Sequence, residues 1–166
     1  MATTTETLEA AGLARPTLPL PQWEFVAMMA AMMALNALAI DTMLPALHDI
    51  ATSYSLQSEN DQQLVIFAYV AGFGAPQLVF GPVSDSYGRK KVVLGCIVAY
   101  TLAGFACMAA TSFSMLLALR FLQGIAASGI RVIAVSVVRD LMGGRAMARI
   151  MSLVMTVFMV VPLLAP

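Results

Sequence analysis

Residues 81–92 read GPVSDSYGRKKV and form a short basic turn between two long apolar segments. The segment before the turn covers about residues 62–83, and the segment after it covers about residues 92–110. Each is close to the ~20 residues with which a helix crosses a lipid bilayer. Because the turn is too short to span the membrane itself, the two segments are predicted to be antiparallel helices. This stretch therefore predicts a hairpin of two membrane spans.

Three further apolar segments continue this pattern in both directions along the chain. They cover about residues 23–45, 114–138 and 150–166. The last is shorter than the ~20 residues of a complete span, so we interpret it as a partial fifth helix of a truncated chain. Of the 166 residues, 60% are hydrophobic and 11% are charged, far below the roughly 25% charged residues of soluble domains. The predicted fold class is all-α, a polytopic membrane helix bundle with four complete spans and a partial fifth.

The N-terminal residues 1–22 are polar or interrupted by prolines and show no apolar period, which is typical of a flexible tail. A secretory signal peptide is the alternative interpretation, with residues 25–38 as its apolar core and residues 37–39, ALA, as its cleavage site. The tail carries only one arginine and two acidic residues, whereas a signal peptide begins with a basic region. We therefore favour retention of this segment as the first span.

Basic residues are confined to alternate connections between the predicted spans. The first and third connections contain no Lys or Arg. Short loops rich in Lys and Arg remain in the cytoplasm, so the N-terminus and the two basic connections are predicted to be cytoplasmic and Glu59 to be periplasmic. The basic residues of the second and fourth connections are Arg89, Lys90, Lys91, Arg139, Arg145 and Arg149.

The composition also excludes several classes of function. Nine basic residues balance nine acidic ones, so no net positive charge indicates a nucleic-acid partner. The chain has no nucleophile with a partner base, no paired catalytic carboxylates and no cofactor motif. His48 has no metal-ligand spacing to another His or Cys. We predict neither enzymatic activity nor a cofactor.

Three ionisable residues lie inside predicted spans, where a charge costs at least ~2.5 kcal/mol. They are Asp41, Arg120 and Arg131. Asp41 lies 18 residues after Trp23, and Arg120 lies 19 residues before Arg139. At ~1.5 Å per residue the two charges are at nearly equal depth, so they are predicted to meet in the outer third of the membrane. They form either a static ion pair between two helices or a proton-coupling site.

Arg131 follows Arg120 by eleven residues, or three helical turns plus ~20°, so both are predicted to project from one face. If Arg120 faces a cavity, Arg131 faces it too. Alternatively, Arg131 snorkels to the inner membrane surface, which lies ~12 Å away at Arg139.

Small residues in the spans predict close helix packing. Gly124 and Ser128 have the small-xxx-small spacing that allows two membrane helices to approach each other. The same packing role is expected of Gly72, Gly74 and Gly129.

Each residue type in the basic turn has a physical use. Gly81 permits close approach of helices, and Gly88 tolerates a positive φ. Asp85 can pair with a nearby guanidinium group, while Arg89 and the lysines that follow it can anchor the turn at anionic headgroups. The alternative is a turn whose basic residues serve only to orient the chain in the membrane.

The turn resembles a signature of the major facilitator superfamily, the sequence G-x-x-x-D-x-x-G-R-[KR] between its helices 2 and 3. Residues 120–124, RFLQG, are similar to the R-x-x-Q-G motif of the proton-coupled drug exporters of that superfamily. The residues that match the turn signature are Gly81, Asp85, Gly88, Arg89 and Lys90.

Residues 41–47, DTMLPAL, and residues 139–140, RD, extend the likeness to the Bcr/CflA drug-resistance subfamily. The resemblance covers residues 23–166. Arg131 departs from it, because a small or apolar residue is expected at this position, and this departure leaves the substrate class open.

The resemblance implies the first part of a bacterial inner-membrane transporter with two halves of six helices. It implies export of small apolar or cationic drugs in exchange for protons, with Asp41 as the protonatable group and Arg120 as the charge that biases it. A non-transporting truncated membrane fragment and an uptake permease of the same superfamily remain alternatives. The resemblance also implies a cytoplasmic latch between helices, formed by Asp85, Arg89, Arg139 and Asp140.

Overall fold

The computed structural model describes residues 21–56, 60–142 and 144–164, of which 145, 146 and 160–164 contribute backbone only. These residues are helical and contain no strand, so the predicted all-α class is confirmed. A single 3-10 turn covers Asp61–Gln63. The helices, numbered along the chain, are α1 (Gln22–Asp41), α2 (Leu47–Ser53), α3 (Leu64–Gly74), α4 (Gln77–Tyr87), α5 (Arg89–Met108), α6 (Phe113–Leu141) and α7 (Gly144–Leu164).

Helices α1, α5 and α6 are each long and apolar enough to cross a membrane. Helices α3 and α4 pass the same test only when they are taken together as one bent span, which makes three or four candidate spans in the described residues. In α7 the apolar stretch among residues with described side chains is Met147–Met159. The helix itself begins at Gly144, six residues before the predicted start at residue 150. Nearly all of the predicted tail and the last two residues of the predicted fifth span lie outside the described residues.

The predicted straight span over residues 62–83 is broken in the structure. Helix α3 ends at Gly74 and α4 begins at Gln77, and their axes differ by 46°. Pro76 lies in the break. Because proline has no backbone N–H and its ring clashes with the preceding turn, it interrupts the helical hydrogen bonds at this point.

Helix α6 packs at the centre of the bundle, and glycines allow its backbone to approach α3. A Cβ added to Gly124 would overlap the backbone oxygen of Tyr69, and one added to Gly72 would overlap the backbone oxygen of Phe121. Ser128 is fully buried on α6. The close packing predicted for Gly124 and Gly72 is therefore present between α3 and α6.

Two other glycines do not pack as expected. A Cβ added to Gly74 or to Gly81 would meet no heavy atom of the described residues within 4 Å. Gly74 ends α3 at the bend, and Gly81 lies in the short helix α4. Within the described residues neither glycine has a close helix neighbour, so the close approach expected at these two positions stays a prediction.

The main apolar core lies where α1, α6 and α7 meet. The buried side chains of Met29 and Met33 in α1 pack with Val138 of α6 and with Ile150 and Val154 of α7. These methionines thus fill space between helices, as flexible thioether side chains do in many cores.

Candidate functional site

A layer of polar side chains, three of them buried and two half-buried, crosses the bundle between α1, α3, α5 and α6. We call it the buried polar layer; it consists of Asn36, Tyr69, Tyr100, Arg120 and Gln123. Arg120 is 8% exposed, Gln123 6% and Tyr69 3%. Polar groups buried in a membrane bundle must find hydrogen-bond partners inside the protein.

Hydrogen bonds tie these side chains to one another and to the backbone. The Arg120 Nη1 donates to Gln123 Oε1 at 2.9 Å, one helical turn further along α6. The Tyr69 hydroxyl donates to Asn36 Oδ1 at 3.1 Å, which links α3 to α1. The Tyr100 hydroxyl donates to the Leu35 carbonyl at 3.4 Å, which links α5 to α1.

The guanidinium of Arg120 is the charge at the centre of this layer. Its electrostatic neighbours are the side chains of Cys107, Tyr100 and Tyr69. Among the described residues no carboxylate lies within 4 Å of it, and its Nε has no hydrogen-bond partner. A buried cation without an acidic partner is costly, so the layer is suited to attract negative charge.

The structure does not bring Asp41 to Arg120, which corrects the predicted meeting of these two charges. Asp41 is half-buried, forms no ion pair in the described part of the chain, and is the last residue of α1. Two residues earlier, Ala39 lies in a buried cluster with Tyr69 of α3 and Ala127 of α6. Two residues turn a helix by ~200°, so Asp41 projects from nearly the opposite side of α1. Equal depth in the membrane does not determine the direction in which a side chain points.

Arg131 occupies a different environment from Arg120, although both lie on the same face of α6. Arg131 is exposed, and its Cζ lies 5.6 Å from the centroid of the Phe73 ring on α3. This distance is within the range of a cation–π contact. Arg131 forms no ion pair within the described residues.

The basic turn brings three helices together through Arg89, the first residue of α5. Its Nη2 donates to Asp85 Oδ1 of α4 at 3.0 Å and to Asp140 Oδ2 of α6 at 2.7 Å. Gly88, the single residue between α4 and α5, has a φ of +87°, which an L side chain rarely adopts. Of the four residues expected to form a latch, Arg139 is exposed and makes no ion pair within the described residues.

The sequence indicated Arg120 as a site residue and Gln123 only as part of a motif. The place of Asn36, Tyr69 and Tyr100 in this polar layer was not predicted. A signal was present, because Asn36 and Tyr69 are isolated polar groups within apolar runs and Tyr100 lies beside Thr101 in another apolar run. Among the residues that the structure describes, no group of three or more His, Cys, Asp or Glu could hold a metal ion.

Comparison with known proteins identifies similar chains. The family model of the Major Facilitator Superfamily matches residues 25–166. A protein of Bacillus subtilis (strain 168), named Uncharacterized MFS-type transporter YdgK, is 39% identical over 132 residues, which are 80% of this chain and 33% of that protein.

Several other similar proteins carry the name Multidrug resistance protein MdtL, and two of them serve as examples. The protein of Salmonella paratyphi C (strain RKS4594) is 33% identical over 136 residues, or 82% of this chain and 34% of its own length. The protein of Citrobacter koseri is 35% identical over 136 residues, or 82% of this chain and 35% of its own. The chain thus spans about a third of the length of these relatives.

Proposed function

The chain belongs to the Major Facilitator Superfamily, and from this premise we propose that the protein containing it exports small drug-like molecules in exchange for protons. The names of the MdtL relatives support drug export. The candidate spans agree with a multi-pass protein, for which we propose the bacterial inner membrane with a cytoplasmic N-terminus.

The buried guanidinium of Arg120 is the observation that carries this proposal. It is held by Gln123 in a layer that offers no carboxylate in the described residues. A fixed cation of this kind favours a negative charge nearby. It can therefore link the binding of an anion or the release of a proton to a change in helix positions.

We assign the proton-carrying role to Asp41. A carboxyl group that exchanges protons with water must be reachable and must not be locked in an ion pair. Asp41 is half-buried at the end of α1 and forms no ion pair within the described residues. In this role Arg120 acts on Asp41 through a change of conformation and not through a standing contact.

The test is Asp41→Asn in the full-length protein, reconstituted in liposomes with an imposed proton gradient. We expect proton-driven efflux to be lost, because the amide cannot carry a proton, while the amount of folded protein is unchanged. The matched control is Asp49→Asn, which removes an exposed carboxylate on α2 and should leave efflux intact. Proton-driven efflux near the unmodified rate in Asp41→Asn would exclude the assigned role.

The static ion pair is tested by the same substitution. If Asp41 only neutralised Arg120, Asp41→Asn would leave an unpaired buried cation, and protein abundance would fall. Adding Arg120→Gln would then restore both abundance and efflux. We expect instead that the double variant is folded but inactive.

A further inference from the structure

Arg131 is the one exposed residue in the middle of α6. Every other residue of that helix between Gln123 and Val138 is buried or half-buried. Among the described residues no carboxylate pairs with Arg131. Charged side chains within a membrane span almost always face a partner or a water-filled cavity, since hydrocarbon solvates them poorly.

The direction of Arg131 follows from its neighbours around the helix. Gly124 and Ala127 lie within ~40° of it on the α6 surface. Gly124 contacts the backbone of Tyr69 in α3, and Ala127 lies in one buried cluster with Ala39 of α1 and Tyr69. Arg131 therefore emerges on the side of α6 that α1 and α3 flank.

The opposite side of α6 is apolar. Leu122 and Ile125, which lie ~120–180° around the helix from Arg131, border a groove of about 520 Å³ between α5 and α6. This groove is lined by apolar side chains, and Arg131 points away from it.

The side chain of Arg131 also points away from the basic turn, which argues against snorkelling. A Cβ on Gly124 would lie 2.9 Å from the backbone nitrogen of Phe73, so the Phe73 backbone is level with Gly124 on α6. Gly124 precedes Arg131 by seven residues, or ~10.5 Å along α6, in the direction away from the basic turn. The guanidinium over the Phe73 ring is thus held farther from the turn than the Arg131 backbone is. Helical side chains lean toward the N-terminus, which in α6 is the end remote from the turn.

We propose that Arg131, held over the Phe73 ring, binds the carboxylate or a similar anionic group of the transported molecule. This assignment rests on the proposed transport function and names its substrate class. A guanidinium binds a carboxylate through two parallel hydrogen bonds. An aromatic ring beneath it restrains the side chain without neutralising its charge.

The substrate class is an amphipathic molecule with one anionic group on an apolar body. The Phe73 ring supplies apolar contact for that body beside the charged group. A purely cationic drug is disfavoured, because like charges repel at close range.

The experiment uses a matched pair of dyes with the purified full-length protein in detergent. One is a zwitterionic rhodamine with a free benzoic acid, and the other is its cationic methyl ester. Equilibrium binding of each is measured by fluorescence polarisation. The pair differs only in the anionic group, so the ratio of the two affinities reports recognition of the carboxylate.

For Arg131→Gln we expect about tenfold weaker binding of the acid, because one charge-assisted hydrogen-bonded contact is lost. Binding of the ester should stay unchanged within about twofold. Arg131→Lys keeps the charge and should retain most of the preference for the acid. Phe73→Leu should weaken acid binding about threefold by releasing the positioned guanidinium. The matched control is Arg149→Gln, which removes an exposed cation from α7 and should change neither affinity.

Failure of the unmodified protein to bind the acid more tightly than Arg131→Gln does would overturn the assignment. So would equal losses for acid and ester. A third outcome would also overturn the assignment: Arg131→Gln leaves the ratio of acid to ester affinity unchanged but lowers the melting temperature of the ligand-free protein. Arg131 would then pair with an acidic residue elsewhere in the protein instead of binding the substrate.

Proton-driven efflux separates this inference from the function on which it rests. Efflux that persists while acid binding does not depend on Arg131 contradicts only the inference. Absence of proton-driven efflux from the unmodified protein contradicts the proposed function, and dye binding still decides the role of Arg131.

Discussion

At the scale of single residues, Arg89 shows how one guanidinium orders three helices. It begins α5 and binds carboxylates of α4 and α6. The side chains of Arg89 and Asp140 are 24% and 45% exposed, so water screens their attraction and each such pair contributes only ~0–1 kcal/mol. Its main effect is to set the positions of the helix ends, because the planar guanidinium has donors in fixed directions.

We expect a double-mutant cycle of Arg89→Gln and Asp140→Asn to give a coupling free energy of about 0.5–1 kcal/mol. The measurement is chemical unfolding of the purified full-length protein in mixed micelles. Lys90→Gln is the matched control, since Lys90 is exposed and forms no ion pair in the described residues. A coupling between Lys90 and Asp140 as large as that of Arg89 would show that net charge, and not the observed contact, is responsible.

At the scale of helices, the contact between α3 and α6 depends on glycines placed where two backbones meet. Gly124 and Gly72 each leave room for the backbone of the other helix. In a bilayer such packing is a main source of helix association, because lipid tails are as apolar as the side chains. The bend at Pro76 gives α4 a different direction, and α4 still packs on α6, where a Cβ added to Gly129 would overlap the Phe80 ring.

Gly124→Ala should lower the free energy of unfolding by about 1–3 kcal/mol, because its methyl group overlaps the Tyr69 backbone and forces α3 and α6 apart. Gly95→Ala is the control on α5, where an added Cβ meets no described heavy atom within 4 Å. That change should be neutral or stabilise the protein by up to ~1 kcal/mol. Equal destabilisation by both substitutions would contradict the close contact. Thermal unfolding in detergent provides the comparison.

At the scale of the whole molecule, charge determines the orientation in the membrane. Arginines and lysines lie in the basic turn between α4 and α5 and at the end of α6. Helix α2 and the connection between α5 and α6 contain neither. We therefore propose that the basic turn faces the cytoplasm and that α2 faces the periplasm. Glu59, named from the sequence as periplasmic, lies outside the described residues, as does the side chain of Arg145.

Labelling with an impermeant maleimide tests this orientation in a background that carries Cys96→Ala and Cys107→Ala. We expect His48→Cys to be labelled in intact cells and Lys90→Cys only after permeabilisation. Both positions are exposed, so differences in burial do not explain a difference in labelling. Labelling of Lys90→Cys in intact cells would reverse the proposed topology.

The sequence by itself determined the properties that depend on neighbouring residues and on segment length. Apolar runs of membrane-spanning length predicted the helical class. Gly88 was expected to take a positive φ, and Asp85 to pair with a guanidinium; the structure shows both. These features are local, because a turn of this length brings Asp85 and Arg89 within reach of each other whatever the remaining helices do.

Only the tertiary structure decided which way each helix face turns. Depth along a helix follows from counting residues, but a rotation of ~100° per residue lets charges at equal depth point in opposite directions. For that reason Asp41 does not reach Arg120. The hydrogen bond from Tyr69 to Asn36 also depends on how two helices face each other, and the sequence did not predict it. Arg120 and Arg131 share a face of α6, yet one is buried and the other is exposed. Packing among helices sets these surroundings, and no single segment contains that information.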